Sequence, residues 1–265
     1  MNSSTFAEPF TPRGVAAFAR GKFNRLTIAQ ALFALLGAAS VAWFLNDSCF
    51  PTIETGIQNL PGYGDIRGGK LDWVGKSPTS LAQGRIFSVN LDLNHSGAIQ
   101  STADFQIEFG KNSVRVFSLL GYTDFIYPPG EIISFNRPEL EPLWNAWDEI
   151  ILFGAALATA VLLPFSWWIL ATLYCLPAWL FVFYSNRDLN LRQCWKLSAA
   201  SLFPGALLMA AGIFAYDFGL LTLVEFAFVF AAHLVLGWIY LITSLIFIPR
   251  HSKATPKGNP FEVRN

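Results

Sequence analysis

The sequence predicts a membrane-embedded α-helical bundle with one small inserted domain of antiparallel β-strands, a domain of α+β type. Three apolar runs, residues 26–45, 149–184 and 197–248, contain almost no charged side chains. Such runs are helical in a bilayer, because a helix satisfies its backbone hydrogen bonds internally. Residues 46–148 are instead polar and rich in glycine, and parts of them alternate like strands. Four spans are favoured and five are possible.

The composition excludes an ordinary soluble protein. Of the 265 residues, 53% are hydrophobic and only 14% are charged, whereas soluble domains carry about 25% charged residues. The formal net charge is zero, so no bulk attraction to nucleic acid is implied. We therefore expect no nucleic-acid partner. The expected partners are membrane lipids and a protein bound through the inserted domain or the bundle.

The first apolar run is predicted to be an uncleaved membrane anchor. It is preceded by a basic leader, residues 1–25, and is long enough to cross about 30 Å of hydrocarbon. Trp43, Phe44 and Leu45 stand where a signal peptide would place small residues before its cleavage site. Basic residues alternate with Phe18 and Phe23 in the leader, which suits a short interfacial helix.

The distribution of Lys and Arg predicts the orientation. The leader, the loop 186–196 and the tail 249–265 are basic, so we expect them in the cytoplasm. The turn 216–219 has no basic residue, which suits the opposite side. Residues 46–148 are then extracytoplasmic, in a bacterial inner membrane. All of these assignments agree if the chain crosses four times.

The run 149–184 is too long for one simple crossing. Its 36 residues would extend about 54 Å as one helix. Pro164 and the pair Trp167-Trp168 suit a turn near its middle. Such a turn would move the loop 186–196 and the tail outside, against the charge rule. One crossing is therefore favoured, with the surplus as a kinked extension, an interfacial helix or a re-entrant segment.

Residues 46–148 contain several strand patterns. Apolar and polar residues alternate along 87–93, 105–109 and 114–116, with turns at 94–97 and 110–112. The segment 105–116 predicts a hairpin, and 66–74, broken by Gly68-Gly69, predicts a further strand. We expect a helix near residues 51–60. Several prolines, then Trp144 and Trp147 at the membrane interface, form a stiff return to the next run.

Three short stretches carry a resemblance to known proteins: DIRGGKL at 65–71, FSVNLD at 87–92 and LNLRQCWKLSA at 189–199, which leads into Pro204. With the order anchor, β domain, bundle, the chain resembles a bacterial membrane-protein family of unknown function, some of whose members are described as maltodextrin-utilisation proteins. The third stretch is also similar to the loop-to-span junction of Yip-type (Rab-interacting) membrane proteins. The resemblance implies the architecture and supplies no catalytic residue. The pair Trp167-Trp168 is not a feature of that family.

Ionisable residues in the last apolar run suggest an alternative function in transport. Glu225 and His233 lie within the predicted last span, residues 220–248, and Asp217 just precedes that span. Ionisable groups inside a membrane are often functional. Glu225 and His233 would be about 80° apart around a helix. The simpler interpretations are a histidine bonded across the bundle, a glutamate near the interface and an aspartate in a turn.

Basic residues near the span ends are candidate contacts for lipid headgroups, or serve only to set the topology: Arg187, Arg192, Lys196, Arg250 and Lys253. The three cysteines show neither disulfide nor metal spacing, and no cofactor is expected. No catalytic motif is recognisable, and Asp92 with His95 is explained by a strand end and a turn. The expected function is non-enzymatic: the extracytoplasmic β domain binds a partner or ligand in an adaptor, assembly or sensor role.

Overall fold

The computed structural model describes residues 10–250. The chain forms two compact units. The helical unit comprises Met1–Gly37, Ala160–Ala210 and Ala227–Asn265, and the β unit comprises Ala38–Thr159 and Ala211–Phe226. Each is described by itself below.

Helices account for the apolar runs. The α-helices are α1 (Pro12–Arg20), α2 (Phe23–Phe44), α3 (Phe50–Gln58), α4 (Arg137–Tyr184), α5 (Leu191–Ala200), α6 (Phe203–Asp217) and α7 (Leu223–Ile246). A wide π-helical turn, Leu45–Cys49, joins α2 to α3. Among residues 10–250, four helical stretches are long and apolar enough to cross a membrane: Phe23–Gln58, Arg137–Tyr184, Leu191–Asp217 and Leu223–Ile246. A helical membrane protein with an α+β domain is therefore the fold class that this structure fits.

Eight strands form two sheets in the β unit: β1 (Gly64–Arg67), β2 (Lys70–Trp73), β3 (Thr79–Gln83), β4 (Phe87–Leu91), β5 (Phe105–Phe109), β6 (Ser113–Ser118), β7 (Gly121–Ile126) and β8 (Ile132–Ser134). The smaller sheet has the order β2-β1-β8, and the larger has the order β3-β4-β5-β6-β7. The predicted hairpin over 105–116 is β5–β6, and the predicted helix near residues 51–60 is α3.

Two details of the predicted sheet were wrong. Residues 66–74 belong to two strands of a hairpin, because Gly68 and Gly69 both have positive φ (59° and 74°) and turn the chain. The larger sheet is also not wholly antiparallel, since β4 and β5 pair in parallel. Parallel neighbours need a crossover connection, here residues 92–104, which the sequence suggested only as a turn.

α4 runs unbroken through 48 residues. Pro164 and Trp167-Trp168 lie inside it, so the turn considered there is not formed. Its C-terminal half buries one stripe of side chains at helical spacing, namely Trp167, Ala171, Tyr174, Cys175, Ala178 and Val182. Upstream, residues such as Phe153 and Val161 are more than half exposed.

Aromatic residues hold the core of the helical unit. The Phe203 ring is fully buried between Phe33, stacked at 4.9 Å, and Phe18, edge-on at 5.7 Å. Phe18 belongs to α1, the short helix predicted in the leader. Its apolar side, including Val15, is buried in this core, so it is not free to lie on a membrane surface as predicted.

Candidate functional site: an apolar cavity in the β unit

A cavity of about 390 Å³ lies between α3 and the larger sheet. Ligand sites in proteins have about 300–1,000 Å³. α3 contributes Ile53, Gly56 and Ile57, with Cys49 just before it and Leu60 just after it. The strands contribute Leu81, Phe87, Val89, Ile107 and Phe109, and Phe135 and Leu140 complete the lining. None of these side chains is charged, and only the Cys49 thiol is polar. The cavity therefore matches a hydrocarbon ligand.

The glycine of α3 lies close to the sheet. A Cβ atom at Gly56 would lie 3.7 Å from the Ala82 Cβ and 3.8 Å from the Val89 side chain, an ordinary van der Waals contact. A longer side chain would extend further into the space that Gly56 borders. Gly56 is thus a point at which the cavity volume can be changed by substitution.

Hydrogen bonds fix the turn before α3. The Ser48 hydroxyl in the π-helical turn donates to Asp217 Oδ1 at 2.5 Å. The Arg85 guanidinium donates to the carbonyls of Tyr216 and Asp217, the latter at 2.9 Å, and the Tyr216 hydroxyl donates to Asp104 at 2.7 Å. We call these five residues, Ser48, Arg85, Asp104, Tyr216 and Asp217, the anchoring cluster. It ties the end of α6 to the turn and the sheet that border the cavity.

Asp217 was predicted to be a turn residue, and its carboxylate also holds the π-helical turn through the Ser48 hydroxyl. Its side chain is buried, and within residues 10–250 its Oδ2 atom has no hydrogen-bond partner. No sequence pattern predicts its contact with Ser48, which lies 169 residues earlier.

Glu225 and His233 make contacts within their own helix. Glu225 accepts hydrogen bonds from the Thr222 backbone N–H (2.7 Å) and hydroxyl (3.0 Å), while Thr222 caps the Glu225 N–H. This reciprocal pattern fixes the start of a helix. The His233 ring bonds to the Phe230 carbonyl one turn earlier. Neither contact favours transport over a structural role, and transport through these residues stays a prediction.

The predicted lipid-contact residues separate into two groups. Arg187 donates to the carbonyls of Ile246 (2.7 Å) and Ile248 (2.5 Å), and its backbone pairs with Arg250. These contacts secure the C-terminal end of α7. Arg192 and Lys196 instead line a separate cavity in the helical unit. Lys253 lies outside the described residues.

A buried polar cluster on the other face of the sheet was missed by the sequence analysis. His95 Nδ1 lies 2.6 Å from Glu108 Oε1, and Nε2 lies 3.3 Å from the Ser113 hydroxyl. Gly110 makes room for the ring, since a Cβ atom there would overlap it. Serine, histidine and glutamate follow the order of a nucleophile, a base and an orienting acid. The bond to Glu108 is short, whereas the one to Ser113 is at the long limit, so Glu108 is the residue that holds His95.

Asp92 organises the loop that carries His95. It accepts bonds from the Asn94 N–H (3.2 Å), the Ser96 N–H (2.7 Å) and the Ser96 hydroxyl (2.6 Å). Burial alone raises the pKa of Asp92, but these bonds and one from the Gly97 N–H outweigh burial and hold the pKa below its ordinary value. The loop is thus supported while Asp92 is ionised, and the support is lost as the pH falls through that lowered pKa.

Comparisons with known proteins supply no family for this arrangement. No family model matches the chain, and neither the curated proteins nor the solved structures contain a match.

Proposed function

We propose that this chain is a non-enzymatic, multi-pass protein of a bacterial inner membrane whose extracytoplasmic β domain binds a hydrocarbon chain. The bound hydrocarbon would be the acyl group of a lipid or of a lipid-modified partner. The protein would act as a sensor or an assembly factor. The observation that carries the proposal is the cavity of about 390 Å³ with an uncharged lining. Burying hydrocarbon there would contribute about 25 cal/mol for each Å² removed from water.

The path of the chain supports a ligand that comes from the bilayer. The helical stretch Phe23–Gln58 continues from a span-like helix through the π-helical turn into α3. One wall of the cavity is thus the direct extension of a helix that can cross the membrane. Irregular π-helical turns are frequent at functional sites, and Cys49, which ends this one, lines the cavity.

Filling the cavity should weaken binding. We expect Gly56→Met to raise the Kd for a fluorescent fatty acid at least about tenfold, equivalent to about 1.4 kcal/mol, because the new side chain occupies the space of the ligand. The measurement is titration of the full-length protein in nanodiscs with cis-parinaric acid. Gly62→Met is the matched control, since Gly62 is exposed and has open space around its Cβ position. Equal affinity in the two variants, or no binding by the wild type, would refute the site.

The proposed threading places the leader, the loop 186–196 and the tail in the cytoplasm and the β domain outside. We expect Gly130→Cys and Leu220→Cys to react with an impermeant maleimide in intact cells, and Asn186→Cys and Ser252→Cys only after permeabilisation. Gly130 and Leu220 are exposed. Cys49→Ser is a suitable background, because Cys175 and Cys194 are only 5% and 0% exposed. Labelling of Asn186→Cys in intact cells would contradict a single crossing by α4.

A further inference from the structure

The helical unit contains a second and larger cavity, of about 880 Å³. Its lining combines apolar side chains with two cations: Phe23, Thr172, Cys175, Leu176, Leu191, Arg192, Trp195 and Lys196. Phe23 stacks on Trp195 with ring centroids 6.2 Å apart, and the Trp195 indole N–H donates to the Thr172 hydroxyl at 3.1 Å. The aromatic wall is therefore fixed in place by its own contacts.

The two cations have no acidic partner in the part of the chain that the structure describes. No carboxylate oxygen of residues 10–250 forms an ion pair with Arg192 or Lys196. Lys196 is only 8% exposed, and its ammonium donates to the Gly21 carbonyl at 2.7 Å. An ammonium has three donors, so two of them have no acceptor among residues 10–250. Burying a charge without an opposite charge is costly, and an anion in the cavity would offset that cost.

We propose that this cavity binds one anionic phospholipid, with its phosphate on Lys196 and Arg192 and an acyl chain along the apolar wall. The lining favours an anionic headgroup, because its two charged side chains, Arg192 and Lys196, are both cations. Trp195 has the amphipathic character of residues that lie at headgroup level. The remaining wall, including Leu176 and Leu191, offers only hydrocarbon. This site is separate from the acyl-binding cavity of the β unit and does not depend on it.

The proposed lipid site includes two of the predicted headgroup contacts, Arg192 and Lys196, and excludes Arg187. Arg187 is occupied by the carbonyls at the end of α7, whereas Lys196 and Arg192 face a cavity that can hold a lipid. Surface cations attract anionic lipids at about 1 kcal/mol each. A buried lysine and an exposed arginine beside a shaped cavity should instead retain one lipid through purification.

The test uses the delipidated full-length protein and native mass spectrometry. When either lipid is added back, we expect one phosphatidylglycerol to bind at lipid concentrations at which phosphatidylcholine does not bind. Lys196→Met keeps the length of the side chain and removes the charge, and should weaken this binding at least tenfold. Lys70→Met, the same substitution at an exposed position of β2, should change nothing. Arg192→Gln serves as a second variant if Lys196→Met does not fold, and should also weaken binding.

The alternative outcomes are decisive. Equal retention of phosphatidylcholine would mean nonspecific lipid packing and would overturn the proposal. Displacement of the lipid by millimolar inorganic phosphate, with phosphate alone bound, would assign a free-anion site instead. Unchanged retention of phosphatidylglycerol in both Lys196→Met and Arg192→Gln would show that these cations do not bind the lipid, and would overturn the proposal. With a phosphatidylglycerol that has brominated acyl chains, tryptophan quenching should drop in Trp195→Phe, which places the acyl chain against that wall.

Discussion

Gly205→Val is expected to destabilise the helical unit by about 3 kcal/mol and to remove most of the folded protein, as strained overpacking of a core does. A Cβ atom at Gly205 would lie 2.5 Å from the backbone carbonyl oxygen of His233. Because the obstacle is backbone, no side-chain rotation relieves the clash, and α6 must move away from α7. The yield of monodisperse protein and its apparent melting temperature in mild detergent measure the effect.

Gly154→Val is the matched control. Gly154 is an exposed glycine of α4 with nothing within 4 Å of its Cβ position, so valine there should leave the melting temperature unchanged or raise it slightly, since glycine is a poorer helix former. Similar melting temperatures for the two variants would show that the close approach at Gly205 is not required.

Glu108→Ala is expected to destabilise the β unit by about 3 kcal/mol, because hydrogen bonds to a buried charged group contribute about 1.5–3 kcal/mol and the orphaned donors add a penalty. The Glu108 side chain is only 2% exposed. Its loss leaves His95 Nδ1 and the Gln106 amide, which donates to Oε2 at 3.2 Å, without their acceptor. The measurement is the unfolding transition followed by near-ultraviolet circular dichroism.

Ser113→Ala distinguishes a structural cluster from a chemical one. We expect it to cost less than about 1 kcal/mol, because the Ser113 contact at 3.3 Å is long. We also expect no reaction of the wild type with a fluorophosphonate probe. Labelling that disappears in Ser113→Ala would show a nucleophilic serine and would replace the non-enzymatic proposal with a hydrolytic one.

The apolar runs predicted the helices because length and hydrophobicity alone decide whether a segment can cross a bilayer. The same rule failed to predict the path inside residues 149–184. Pro164 suggested an interruption, yet α4 continues through it, since its C-terminal half packs one regular stripe from Trp167 to Val182. Packing against neighbouring helices overrode the local preference of proline, and packing is not visible in a hydropathy pattern.

The cavity could not be predicted because its residues look like ordinary core. The alternation along β4 suggested that Phe87 and Val89 face the interior and that Ser88 and Asn90 face solvent. The structure buries Ser88 and Asn90 almost completely, and leaves Phe87 and Val89 only partly covered, where they line the cavity.

The crossover connection explains the burial of the polar face. His95, which belongs to the connection 92–104, contacts Glu108 on that side of the sheet. The sequence pattern contains no information about which face a connection crosses. The predicted turn at 94–97 therefore gave no indication of the polar cluster or of the cavity opposite it.

The π-helical turn Leu45–Cys49 sets the rotation of α3 about its own axis. Each residue advances an α-helix by about 100°, so one residue accommodated in a wide turn changes which side of the following helix faces the sheet. The rotation that directs Gly56 toward Val89 is thus set partly by residues 45–48, which do not line the cavity and in which Ser48 is held by Asp217. An insertion or deletion among residues 45–48 would alter the binding surface without changing any of its side chains.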